Sequence, residues 1–169
     1  AAGVVVFIAT GKARPAAIRA AATAGLDGDD GVVSRKSPGV FIQGLDVYGR
    51  DGDPIYKAEM PHDVVREAFG LVYGTDRGPA TKVALTAFCG DECATLASHP
   101  LLDELSSLYH EPKSVAWDDV DQLVRAANAA FGGNATASGV QKLLLMAETA
   151  EEIDAARPRW EALFGSRAE

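Results

Sequence analysis

Val4-Val5-Val6-Phe7-Ile8-Ala9 is a continuous apolar run, rich in β-branched residues and without polar alternation. That is the pattern of a strand buried on both faces inside a parallel sheet. Such a strand needs neighbours, and only Val140 to Met146 approaches the same pattern later. The run is therefore expected to belong to a sheet supplied by residues outside this chain. After Thr10-Gly11-Lys12, a helix is predicted from near Pro15, a favoured first-turn residue, until Gly25 ends it. Gly28 to Gly39 is rich in Gly, Asp, Ser and Pro and marks a domain border, with residues 1–36 on one side and 37–169 on the other.

From Val40 the pattern turns hairpin-like. Val40 to Ile42, Leu45 to Tyr48 and Ile55 to Ala58 read as strands, with Asp51-Gly52 as the turn between the last two. Pro61 and Asp63 suit a helix start, and Val64, Val65, Ala68, Phe69 and Val72 form its apolar stripe until Gly74 to Pro79 breaks it. A strand over Lys82 to Phe88 turns through Gly90-Asp91-Glu92 into Ala94 to Leu96, and a helix follows at Pro100 to Tyr109. Asp118 with Asp121 reads as a cap and first turn before Val120, Leu123, Val124, Ala127 and Phe131. After a loop at Gly132 to Gly139 and the strand at Val140, Thr149 and Glu152 have capping-box spacing ahead of a last helix that Pro158 is expected to kink. Strands and helices alternate as in a sheet layered with helices, and no fixed-period repeat is present.

The 169 residues are 47% hydrophobic and 24% charged, an ordinary globular composition. Sixteen basic against twenty-four acidic residues give a net charge of −8, which disfavours a non-specific nucleic-acid binder while leaving a local phosphate site open. Val4 to Ala9 is far short of the roughly 20 apolar residues a membrane span requires, so membrane insertion is not expected.

The chemical accent lies in Thr10-Gly11, a hydroxyl residue and a glycine at the carboxyl end of a strand, before a helix N-terminus. A P-loop would need glycine at Val6 and Ser or Thr at Ala13, and no G-x-G-x-x-G follows the strand, so nucleotide-binding classes lose their support. Cys89 and Cys93 flank a three-residue turn with no His at ligand spacing. Free thiols are the default there, a cross-hairpin disulfide stays open, and zinc is not expected. His62, His99 and His110 are dispersed, which suits cap, helix-end or surface roles. Asp27, Asp29 and Asp30 depart from calcium-loop spacing and read as a solvated linker, and Asn134-Ala135-Thr136 reads as a chance sequon.

Phe7-Ile8-Ala9-Thr10-Gly11-Lys12-Ala13-Arg14-Pro15 resembles motif II of the Cof-type haloacid-dehalogenase-like (HAD) phosphatases. Ser37-Pro38-Gly39-Val40-Phe41, His110-Glu111-Pro112-Lys113 and the order of elements from Val40 to about Phe164 resemble the α+β cap inserted after that motif. The resemblance spans nearly the whole chain. It is closest to plant and algal plastid members, some of which follow a YbeY-type endoribonuclease domain.

It implies an α/β fold: a fragment of a HAD-like Rossmannoid core, one parallel strand plus a helix, followed by a cap whose sheet carries helices on one face. It implies an intracellular, plastid protein. Thr10 and Gly11 would bind a phosphoryl group, and Lys12, where the family has Arg, would contact substrate as a point charge. The family's nucleophilic Asp pair, catalytic Lys and Mg²⁺ ligands would lie outside the segment, so no catalytic or metal residue is assigned within it, and Lys142 is read as a cap-strand residue. The implied function is part of a Mg²⁺-dependent phosphomonoesterase acting on a small phosphorylated substrate, with no nucleic-acid partner; a catalytically inactive HAD-derived subunit of a larger assembly is the alternative. The implied partner is the rest of the HAD core, or another chain, against residues 4–9.

Overall fold

The structure is a computed structural model that describes residues 6–28, 31–74, 82–129 and 139–165. Two four-stranded sheets carry it. The first has the order β1 (Ile8–Ala9), β2 (Gly39–Phe41), β3 (Asp46–Tyr48) and β4 (Pro54–Lys57), with helix α1 (Arg14–Ala22) between its first two strands. β1 and β2 are parallel, with Ile8 opposite Gly39, and the other pairs are antiparallel.

After helix α2 (His62–Tyr73), the second sheet is built from β5 (Val83–Cys89), β6 (Glu92–Thr95), β7 (Ser114–Ala116) and β8 (Lys142–Ala147). Its order is β7-β6-β5-β8. Helices α3 (Pro100–Tyr109) and α4 (Val120–Asn128) flank β7, and α5 (Ala150–Phe164) follows β8.

β5 is buried along almost its whole length and feeds two cores through the strand's two-residue alternation. Leu85, Ala87 and Cys89 join Val65, Phe69 and Val72 of α2 and Leu123, Val124 and Ala127 of α4, with Trp160 and Phe164 of α5 packed at the margin. Phe88 and Cys93 join Ala13, Ala17, Phe41, Ile42, Tyr48 and Leu105, the meeting of α1, the first sheet and α3. Helices therefore cover both faces of the second sheet. The expectation of helices on one face is corrected, because a strand apolar on both sides has to be covered on both.

The run at Val4 to Ala9 also differs from its reading. Val4 and Val5 lie outside the described residues. Val6 and Phe7 are exposed, and among the described residues of the run strand geometry covers Ile8 and Ala9, which pair with β2 of this same chain. The neighbour is thus supplied from within, over a loop that the local pattern does not reveal. The composition border at residue 36 falls in that loop, between two strands of one sheet.

Capping follows the sequence closely. Thr149 and Glu152 exchange both capping-box hydrogen bonds at the start of α5, and Thr149→Ala is expected to cost about 1 kcal/mol in a urea titration. α4 is capped by Asp119, whose Oδ1 accepts from Gln122 N–H at 2.7 Å, in place of the expected Asp118, while Asp121 lies in the first turn as expected. Phe131 and the sequon at Asn134 lie outside the described residues, as do Asp29 and Asp30.

His99 caps α3 through Nδ1, His110 ends it with φ 63°, and His62 opens α2. Cys89 and Cys93 are free. They belong to cores on opposite faces of the sheet, so no bridge forms between them. Burial pushes the Cys89 thiol up to about 12 and Cys93 well above its usual range, which makes both unreactive. No helix among the described residues is long and apolar enough to cross a membrane.

Candidate functional site

The turn after β1 is held by backbone bonds to β2 and to the 3₁₀ turn that follows it, Ile42–Gly44. Thr10 N–H donates to Val40 O at 2.9 Å, Gln43 N–H to Thr10 O at 3.2 Å and Ile42 N–H to Lys12 O at 3.0 Å. Gln43 adopts φ 58° to make that approach. A Cβ on Gly11 would stand 3.2 Å from Gln43 Cγ, so glycine suits the space. The Thr10 hydroxyl accepts from Lys12 N–H at 3.2 Å, closing the turn on itself.

Ala13 supplies no side-chain cap to α1. The missing acceptor comes from far along the chain: Glu111 Oε2 accepts Ala13 N–H at 3.2 Å, with Lys12 Nζ 4.0 Å from Glu111 Oε1. Burial pushes the Glu111 carboxyl up, opposed by the Ala13 N–H and by Lys12, Lys142 and Arg19. Lys12 Nζ itself donates to Tyr109 O at 2.6 Å, and both Arg19 Nε, at 3.0 Å, and Arg19 Nη2 donate to His110 O. Thr10, Gly11 and Lys12 thus sit together at one turn, with the Lys12 ammonium committed to the end of α3.

Behind the turn lies a buried ion network that no local spacing announced. Arg14 grips Asp91 through Nε and Nη2 at 3.1 and 2.7 Å, and Arg35 Nη1 reaches the same carboxylate at 2.7 Å. The Arg14 guanidinium lies 3.8 Å from the Tyr48 ring centroid, a cation–π geometry. The Tyr48 hydroxyl donates to Asp46 Oδ2 at 2.9 Å, while Asp46 Oδ1 accepts no hydrogen bond and faces Lys57 Nζ at 3.9 Å. Burial pushes Asp46 up, opposed by Lys57 and the Tyr48 hydroxyl; burial pushes Lys57 down, opposed by Asp46.

Lys142, on β8, holds its ammonium 5.0 Å from the Phe88 ring. Glu111, Arg14, Asp91, Asp46 and Tyr48 were missed by sequence reasoning. The available hint was His110-Glu111-Pro112 after a helix end, where an acidic side chain is held by a proline-restricted backbone.

These residues do not fit Mg²⁺. The carboxylate at the turn, Glu111, is taken by an N–H and a lysine, and among the described residues no group of three His, Cys, Asp or Glu is placed to hold a metal ion. A cleft of about 580 Å³ between α2, β8 and α5 is lined by apolar groups such as Met60, Val64, Trp160 and Phe164, away from the turn. Its Gln141 is spent on Gly90 N–H and Leu45 O.

No protein-family model matches the chain. A chloroplastic YBEY endoribonuclease of Arabidopsis thaliana is 42% identical over 166 residues, which is 98% of this chain and 26% of that protein. The chain therefore spans about a quarter of its relative's length. Among solved structures, it matches a Thermotoga maritima protein with a TM-score of 0.62 at 15% identity, over 95% of this chain and 50% of that one. It also matches HAD-like hydrolases from Bacteroides thetaiotaomicron (0.60, 11%, 92% and 49%) and B. subtilis (0.59, 13%, 94% and 55%).

The fold is α/β and HAD-like. The functional expectation is corrected by the endoribonuclease relative: a Mg²⁺-dependent phosphomonoesterase with a small phosphorylated substrate and no nucleic-acid partner does not stand. Net charge misled because it was summed over a segment matching a quarter of the relative, and a segment's charge says nothing about the partner of a whole polypeptide.

Proposed function

We propose that this chain is the HAD-like portion of an endoribonuclease polypeptide, with RNA as the substrate class on which that polypeptide acts. The observation that supports it is the 42% identity to a chloroplastic endoribonuclease over 98% of this chain. The same likeness supports residence in the chloroplast. Strand scission is assigned to the remainder of the polypeptide, and any metal it uses is assigned there too.

In this reading the turn at Thr10, Gly11 and Lys12 keeps the shape of a phosphoryl-binding strand end but serves the architecture. Lys12 neutralises a helix end, and Glu111 takes the place of an outside acceptor. Residues 1–36 and 37–169, proposed as core fragment and cap, act as a single accessory body.

The test is cleavage of a single-stranded RNA by the full polypeptide and by a version lacking this segment, beside this chain alone. Cleavage by the full polypeptide and none by the chain alone is expected. No cleavage by the full polypeptide, or cleavage by this chain alone, overturns the reading.

A further inference from the structure

We infer that Glu111 is a built-in anion that latches the Thr10–Ala13 turn shut, and that α1 and α3 close each other's ends reciprocally. A helix N-terminus carries unsatisfied N–H groups and partial positive charge, and a C-terminus carries unsatisfied carbonyls and partial negative charge. The N-terminus of α1 receives Glu111, the acid just past α3. The C-terminus of α3 receives Lys12 at Tyr109 O and Arg19 at His110 O, the cations before and within α1.

Each helix end is thus completed by a side chain from the other unit, across 91 to 98 residues of chain. The geometry is fixed from both sides: His110 takes φ 63° to end α3, and Pro112 restricts the backbone beyond Glu111. The Glu111 side chain is only 7% exposed.

The consequence is that the Ala13 N–H at the start of α1 is already used, by an oxyanion of the protein's own. An oxyanion from solution would have to displace a carboxylate that Lys12, Arg19 on α1 and Lys142 on β8 all attract, and that stands near Cys93 on β6. The turn is closed while Glu111 is charged and in place. This holds whether or not the polypeptide cleaves RNA.

The experiment is amide NMR on this chain with inorganic phosphate as probe. In the wild type at neutral pH, the Ala13 amide should be protected from hydrogen exchange, and phosphate should leave the Gly11, Lys12 and Ala13 resonances unmoved. Glu111→Ala should speed Ala13 exchange by about tenfold or more, the loss expected for one charge-assisted bond. It should also let phosphate shift the three amides, whereas Asp103→Ala, an exposed acid on α3, should do neither. Phosphate shifts in the wild type, or an unchanged Ala13 in Glu111→Ala, overturn the latch.

If Glu111→Ala does not fold, the wild type decides by acid titration. The Ala13 amide must follow the Glu111 carboxyl, with a midpoint above the ordinary glutamate range. A flat Ala13 response overturns the inference.

Discussion

Asp91→Ala should remove about 3–5 kcal/mol of stability, the cost of stripping one partner from a buried ion pair. For a chain of this length that is a fall of roughly 10–15 °C in Tm. Asp91 and Arg14 are 7% and 9% exposed, and Arg14 spends two N–H groups on the carboxylate. Without Asp91, the guanidinium stays wedged against Tyr48 with its nearest anion gone, and water cannot replace the lost bonds.

Arg35 shares the same carboxylate, but its side chain is 64% exposed, so Arg35→Ala should cost under about 1 kcal/mol. The contrast between two arginines on one aspartate is the diagnostic. Replacing the pair together, Arg14→Met with Asp91→Leu, should recover most of the loss, because desolvation consumes much of what a buried pair gains. Urea unfolding followed by circular dichroism reads all three variants. A loss below 1 kcal/mol for Asp91→Ala would mean that Arg14 finds another partner, and the network would not be holding α1 to the β5–β6 turn.

Which parts of the molecule were legible follows from the range over which each is determined. α3 occupies Pro100–Tyr109 as the apolar spacing and Pro100 predict, and the Thr149–Glu152 capping box is present at its expected positions. Both are settled within one helical turn. The β3–β4 hairpin was readable from Asp51-Gly52, which adopt φ 66° and 80° as such a turn demands.

What could not be read depends on contacts between distant segments. β7 is three residues long and owes its place to a parallel pairing with β6, so no period announces it. Thr10, Gly11 and Lys12 share one turn because they are adjacent. The acid that completes their turn is 98 residues from Ala13, and the carboxylate that anchors Arg14 is 77 residues away. Local patterning places a turn and a helix start, but which side chain satisfies them is decided by how the sheets stack.

The first sheet is tied to that stack by Phe41. Phe41→Ala should cost about 3–5 kcal/mol, since the ring is 1% exposed and its removal leaves a cavity that the surrounding strands cannot collapse. The ring sits edge-on to Tyr48, with centroids 6.0 Å apart, and over the backbone of Gly39. A Cβ placed on Gly39 would stand 2.6 and 2.7 Å from two of its ring atoms, closer than van der Waals contact allows.

Gly39→Ala alone is therefore expected to cost about 1–3 kcal/mol, the penalty for overpacking a filled core. In the Phe41→Ala background the clash is gone, and the added methyl enters the cavity. Gly39→Ala should then be neutral or slightly stabilising, and the two costs should fall short of additivity by at least about 1 kcal/mol. Chemical denaturation of the two single variants and the double variant measures this coupling. Additive costs would show that glycine is required at residue 39 by its backbone alone. A shortfall would show that the ring of Phe41 dictates it, which is the physical reason a Pro-Gly pair can open this strand.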